Sequence, residues 1–387
     1  MDIVIIGGGI IGCTTAYYLS RYPSFTSRAT VTLLEASVHG AAQGASGKAG
    51  GLVAKWAYPK ELVDISFDEH VKLAKEHNGA ERWGWRYLSC GSWEGRGELV
   101  TEEAAEGSAM GKGGSMKSLE KTLGLGKTVS KGRLNRKKRQ LPEDLLWVKE
   151  ELTDLYSPMA GDGDTAQVHP FLFTTSMLEL AKAEGVTFVT GRATSIMQAD
   201  DHVSSVNYLD DHAQEITLPA THVILAAGAW CPSLVPSLPI VGTRAHSVTI
   251  RPKPSTTIAP YMLFTEITLA KVRGRTKTAS PEIYARPGNE VYACGPGDDS
   301  PLPQTVDDVV VDTAACDSIY AQVSSISPDL QAGTVERRQA CFLPSVSVTG
   351  GPIVGQAEHF AKGLIIATGH TCWVSFFFLS ALIPSQC

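Results

Sequence analysis

Short β-branched runs that end on glycine recur along the chain and organise its reading. Ile3-Val4-Ile5-Ile6 leads at once into Gly7-Gly8-Gly9-Ile10-Ile11-Gly12 and then into a helical segment from Cys13 to Arg21. A second strand, Thr30-Val31-Thr32-Leu33-Leu34, delivers Glu35. Further on, Phe171 to Glu184 carries a helical apolar face and stops at Gly185, and strands follow at Val186-Thr187-Phe188-Val189 and Thr194-Ser195-Ile196. Asp200 to Gln214 reads as a polar hairpin tip, and Thr221 to Trp230 as a buried strand that ends at Gly228. Ile240 to Pro252 and Glu282 to Gly295 read as antiparallel strands, the second folded at Pro287-Gly288-Asn289. A helix is expected over Val306 to Ser324, and a last strand from Gly363 stops at Gly369-His370.

The pattern is interrupted twice. Trp56 to Leu99 reads as helical and aromatic, with Trp83, Trp85, Tyr87 and Trp93 more suited to a core than to a cofactor box. Residues 101–140 lose all periodicity and read as a basic, disordered insertion. From Ser108 to Gln140 there are ten Lys or Arg against one Glu, so the net charge of −6 leaves the rest of the chain near −15. Basic charge confined to one segment argues against a nucleic-acid partner. A nuclear address or contact with acidic headgroups stays open for that segment.

Composition narrows the class further. A chain of 387 residues that is 43% hydrophobic can hold about two domains. The eight cysteines, at 13, 90, 231, 294, 316, 341, 372 and 387, have no CxxC spacing, which points away from a disulfide framework or a metal site. The first strand leaves no room for a signal peptide, and the longest apolar run, Val374 to Ile383, is too short for a transmembrane segment. These features predict a cytoplasmic protein.

The opening stretch is the dinucleotide fingerprint in full context. Gly7 permits the tight turn, Gly9 lets backbone approach a pyrophosphate, and Gly12 lets helix and strand pack. The helix start at Ile10 and Ile11 presents amides to the phosphates, and Glu35 is placed to accept from ribose hydroxyls, which disfavours NADP. The small-residue stretch Ala45 to Ala54 suits a main chain lying against a planar ligand.

Taken together, Gly7 to Gly12 with Glu35, Ala45 to Ala54, Ala166 to Pro170, Val223 to Trp230, Cys341 to Gly355 and Gly363 to Trp373 resemble the FAD-dependent D-amino-acid oxidase and glycine oxidase superfamily, in its fungal branch. The resemblance implies an α/β protein. A doubly wound FAD-binding domain would be built from residues 1–55, 166–235 and 345–387, and a mixed β-sheet substrate domain from 56–165 and 236–344. It places Ser46, Gly51 and Leu52 on the flavin side, Ala193 at the adenine, Gly228 and Trp230 at the middle of the cofactor, and Gly369 and His370 at the pyrimidine end. Oxidation of a small-molecule amine or amino-acid-like substrate follows, with O2 as acceptor giving H2O2. A flavin-binding protein with little or no turnover is the alternative, and an NAD-dependent dehydrogenase a third reading. His246 and His370 are the histidines to test for catalysis.

Two departures accompany the resemblance. Leu343-Pro344 stands where relatives carry an Arg-Pro carboxylate clamp, leaving Arg244, Arg286 and Arg338 as substitutes, and Cys341 occupies the position of a flavin-linked cysteine in sarcosine oxidases. After Trp373 the chain leaves the family pattern. Codons that can encode Trp373-Val374-Ser375 contain a common intron start, so the tail from Val374 reads as aberrant.

Overall fold

The computed structural model describes residues 1–23, 29–57, 60–98, 141–272, 275–348 and 351–373. The basic insertion and the tail from Val374 lie outside the described residues.

At its centre is a six-stranded sheet in the order Ile353–Gln356, Leu364–Thr368, His222–Leu225, Asp2–Ile6, Thr30–Glu35, Thr187–Thr190. All neighbours are parallel except the first pair. The opening strand is apolar at consecutive positions because both of its faces are covered. Ile3 and Ile5 face the helices Ile10–Arg21 and Pro170–Ala183 through Cys13, Ala16, Phe173 and Met177. Val4 and Ile6 pack on the other side with Val203 and Val206 of a three-stranded antiparallel sheet. Each such aliphatic side chain contributes roughly 1.5–3 kcal/mol on burial, so the two-sided core fixes the strand at the middle of the sheet.

A second, eight-stranded sheet is mixed. Thr334–Val346 pairs with Ile240–Arg251, then Glu290–Asp298, Glu282–Arg286 and Tyr261–Val272 follow, and the last of these runs parallel to Ser89–Arg96. One face rests on the helix Thr313–Ser324 through Val248, Ile283, Ala293 and Ile319. The other face carries Tyr284, Tyr292, Met262 and Cys294. It meets the loop that leaves the nucleotide fingerprint, where an added Cβ at Gly50 would stand 2.5 Å from the Tyr284 ring.

Several elements differ from the sequence expectation. The first helix begins at Ile10, a turn ahead of Cys13, because Gly9 sits at the N-cap. The aromatic stretch is helical only as far as Trp83 and then forms strands at Arg86–Tyr87 and Ser89–Arg96. The polar tip at 200–214 contains the strand His202–Leu209, whose Val203 and Val206 cover the central sheet. The helix expected from Val306 begins at Thr313: the Asp312 carboxylate accepts from the amides of Ala314 and Ala315 and sets its N-terminus. No helix among the described residues is long and apolar enough to cross a membrane.

Candidate functional site

A cavity of about 490 Å³ opens at the carboxyl ends of the parallel strands, where the opening strand is flanked by Thr30–Glu35 on one side and His222–Leu225 on the other. This is where connections diverge to both sides of a doubly wound sheet, the usual ligand position in such folds. Gly7, Gly9, Ile11, Glu35, Ser46, Ala193, Gly228, Trp230 and His370 all line it. They come from separated parts of the sequence, and the sheet brings their strand ends together.

The glycines at the mouth are there for contact reasons. Gly7 has φ +112°, and an added Cβ would approach the Ala226 carbonyl to 2.5 Å. At Gly12 the same atom would lie 1.9 Å from the Gly7 carbonyl, so this position holds the helix to the turn without lining the cavity. Of the four amides that a helix start leaves without an intrahelical partner, the one at Ile10 donates to Ser46 Oγ at 2.9 Å. The hydroxyl therefore caps the helix from a loop 36 residues away, while the Ile10 side chain is buried in the core.

Glu35 ends its strand with both carboxylate oxygens engaged. Oε2 accepts from the Gly8 amide and Oε1 from the Ser37 amide at 2.8 Å. Burial pushes this carboxyl up, and the bonds from Ser37 and Gly8 oppose the shift. A carboxylate offers about four lone-pair sites, so two amide bonds leave capacity for ribose hydroxyls. Gly8 is a site residue that the fingerprint reading passed over, and the reason for glycine there is steric: a Cβ would stand 2.9 Å from Glu35 Oε2.

The outer wall is a strap that no motif announced. Leu302, Pro303, Gln304, Thr305 and Val306 line the cavity. The Trp230 indole donates to the Pro303 carbonyl at 2.8 Å. Asp307 accepts from the Ser37 hydroxyl at 2.6 Å and from the Val38 amide at 3.0 Å, tying the strap to the loop beyond Glu35. The only sequence signal was the capping pair Thr305 and Asp308, which marks a turn ahead of the helix.

His370 is 3% exposed, lines the cavity, and its Nε2 has no partner among the described residues. Burial pushes its pKa down to about 4, so the ring is neutral near pH 7. Unfolded, the group titrates near 6.5. Its contribution to stability is therefore complete above that value and is lost as pH falls from 6.5 towards 4, by about 2 kcal/mol at pH 5. Urea midpoints of wild type and His370→Gln at pH 7 and pH 5 check this. The variant is expected to lose less stability across the interval.

The remaining sequence candidates stand elsewhere. His246 is not among the cavity residues: it is buried in the strand Ile240–Arg251, and its Nε2 accepts from the Asp312 amide at 3.0 Å at the start of a helix. Nδ1 of the same ring lies 3.8 Å from Asp298 Oδ2. Gly51 and Leu52 lie outside the cavity lining: Gly51, at φ +84°, packs a would-be Cβ 2.0 Å from the Val168 carbonyl, and Leu52 packs between the two cores. Gly369 packs on Val346 and Ile240. Cys341 is buried against Ala245 and Leu343, and burial pushes its thiol up to about 11 with Lys48 opposing. Lys48, another residue the sequence reading did not single out, donates to the Ala340 carbonyl at 3.1 Å.

Each of the three arginines that could replace the missing clamp already faces an acid, although Arg286 Nε is without a partner among the described residues. Arg244 pairs through Nε and Nη2 with Asp298, and Arg338 likewise with Asp317. Arg286 is held by Glu290 at 2.8 Å and by the Ala49 carbonyl, with its guanidinium over the Tyr292 ring. Leu343 is 6% exposed and turned into the apolar cluster.

Comparison with known proteins places this geometry. The sequence profile of the FAD dependent oxidoreductase (DAO) family matches residues 2–381. The chain belongs to that family. It is 33% identical to the protein TDA3 of Saccharomyces cerevisiae, covering 96% of this chain and 88% of that one. A Schizosaccharomyces pombe relative is 31% identical over 96% of this chain and 89% of its own. Among solved structures, glycine oxidase from Geobacillus kaustophilus superposes with a TM-score of 0.68 at 19% identity, covering 99% of this chain and 92% of that one. Iminodiacetate oxidase from Chelativorans sp. BNC1 gives 0.64 at 17% identity, covering 98% and 93%. These likenesses establish the α/β fold that the sequence predicts, and the family is the one it resembles.

The cavity also fits the family's cofactor. Its glycine floor admits a backbone-hugging pyrophosphate, its acid suits an adenosine ribose, and its buried histidine offers an unpartnered ring nitrogen.

Proposed function

We propose that this protein holds FAD in the cavity at the strand ends and oxidises an amine or amino-acid-like substrate, with O2 as acceptor. The observation that carries the reading is the convergence of Gly7, Glu35, Ser46 and His370 on one cavity in a chain of an FAD dependent family. The oxidase names of its fold neighbours, acting on glycine and iminodiacetate, support an amine-bearing substrate.

Bound FAD would supply the two-electron oxidant. The protein's part is placement. Main-chain amides at Gly9 and Ile11, which line the cavity at the helix start, would face the phosphates, Glu35 would take the ribose hydroxyls, and Ser46 holds the turn. The strap from Leu302 to Val306 excludes water from one side. His370, neutral and unpartnered, is available as donor or acceptor at the buried end. Overall, an amine with a hydrogen on its α-carbon and O2 give the imine and H2O2, and water then converts the imine to a carbonyl compound and ammonia.

Peroxide release from FAD-loaded protein, measured across a panel of amines and amino acids, tests the proposal. Turnover of at least one amine-bearing class is expected. Flavin retained with silence across the panel contradicts the oxidase reading and leaves a flavin-binding protein that acts by interaction.

A further inference from the structure

Glu282 is a buried acid of the eight-stranded sheet with an unpartnered carboxylate oxygen among the described residues. It is 5% exposed, at the start of the strand Glu282–Arg286, with Tyr284 on the same face. The Tyr284 hydroxyl donates to Oε2 at 2.6 Å, and Cys294 Sγ lies 3.7 Å from the same oxygen. Oε1 has no partner. Among the described residues no ion pair includes Glu282, although the half-buried Glu290 on the neighbouring strand is paired with Arg286 and Arg251. Burial pushes the Glu282 carboxyl up, toward its neutral form, with the bonds from Tyr284 and Cys294 opposing the shift, and a cation brought against Oε1 would restore the charged form.

The surroundings suit such a cation. Tyr284 and Tyr292 stand edge to face with centroids 5.5 Å apart, and Trp56 and Phe264 do the same at 6.0 Å, both pairs belonging to the cluster that covers this face. Aromatic walls around a single acid are the chemistry that recognises an ammonium group, through charge pairing and cation–π attraction together. One loop joins this face of the sheet to the cofactor cavity. The loop whose Gly44, Ala45 and Ser46 line that cavity continues to Gly50, which lies on the Tyr284 ring. The arginines that could have received a carboxylate are meanwhile tied to acids of their own.

We infer that Glu282 is a specificity-determining residue that receives the ammonium group of the substrate, making this protein selective for cationic amines over amino acids gripped by their carboxylate. The inference rests on the oxidase reading above and names its substrate class. The ligand ammonium completes the hydrogen bonding of Oε1, and the aromatic rings cover its alkyl substituents. Transfer of one ammonium proton to the carboxylate leaves the neutral amine, the form whose carbon–hydrogen bond can be oxidised.

The test uses tert-butylammonium chloride, which has N–H donors but no α-hydrogen to lose, and sodium acetate as opposed probes at equal ionic strength on FAD-loaded protein. Two readouts are followed, the visible absorption of bound flavin and the Tm. The cation is expected to perturb the flavin spectrum saturably and to raise Tm, and acetate to do neither. Glu282→Gln is expected to weaken cation binding more than tenfold with FAD content unchanged. Tyr284→Phe, which keeps the ring, is expected to weaken it severalfold. Acetate binding without cation binding overturns the inference, as does equal cation affinity in wild type and Glu282→Gln. Should Glu282→Gln fail to fold, the wild-type contrast of the two probes and Tyr284→Phe still decide. Failure to hold FAD at all counts against the cofactor proposal instead, since the Tm response to the two probes is read without flavin as well.

Discussion

Gly12→Val is expected to yield a protein that loses FAD during purification and unfolds at a lower denaturant concentration than wild type. A Cβ at this position would lie 1.9 Å from the Gly7 carbonyl oxygen and 3.3 Å from the Ile5 side chain. The first of these is main chain and cannot rotate away, so the helix Ile10–Arg21 must move off the strand. Overpacking of this kind costs about 1–3 kcal/mol. The loss of function should exceed the loss of stability, because the displaced helix start carries the amides that would hold the phosphates. Gly44→Ala is the matched control: it also lines the cavity, but its Cβ would meet only Val306, at an ordinary 3.7 Å. Its stability should stay within about 0.5 kcal/mol of wild type. Urea unfolding and FAD dialysis on both variants check the contrast. Equal FAD affinity in Gly12→Val and wild type would remove the packing argument.

The second large effect is at Glu35. Removing its carboxylate in Glu35→Ala leaves the amides of Gly8 and Ser37 without acceptors. Orphaned buried donors cost about 1–3 kcal/mol each, partly relieved here by water from the cavity, so a net destabilisation of about 2 kcal/mol is expected. FAD affinity should fall at least tenfold, since the ribose loses its partner as well. Glu35→Gln keeps one oxygen and should sit between the two in both measurements. Calorimetric FAD titration and urea midpoints read the series. An affinity unchanged in Glu35→Ala would show that the adenosine end lies elsewhere.

The opening strand, turn, helix and second strand were legible because every cue is local: four consecutive apolar residues for a strand covered on both faces, then glycines where main chain meets main chain. The strand ends at Gly228 and Gly369 were legible for the same reason. What escaped depends on partners far away in sequence. Ser89–Arg96 looked helical by its aromatics, but it is fixed by parallel pairing with Tyr261–Val272, which local periodicity cannot report. His202–Leu209 was masked by polar positions, since Val203 and Val206 are its fully buried residues.

The site divides along the same line. Gly7, Gly9, Gly228, Glu35 and His370 are marked by motif and position, and the structure brings them to one cavity. The strap is not marked, because its function as a wall comes from two contacts, Trp230 to Pro303 and Asp307 to Ser37, that join residues 73 and 270 positions apart. Nor could the sequence tell a free arginine from a committed one. Arg244, Arg286 and Arg338 look equivalent along the chain, and only the folded sheet shows that Asp298, Glu290 and Asp317 already hold them. Glu282 is the converse case, an acid with nothing in its neighbourhood of sequence to distinguish it and no cation against it in the fold.

The measurement that bears most directly on the account is the visible spectrum of the protein after reconstitution with FAD and gel filtration. A flavin band that co-elutes with the protein at about one FAD per chain, and that is absent from Gly12→Val treated identically, is the predicted result. A folded wild-type protein that emerges colourless would contradict it.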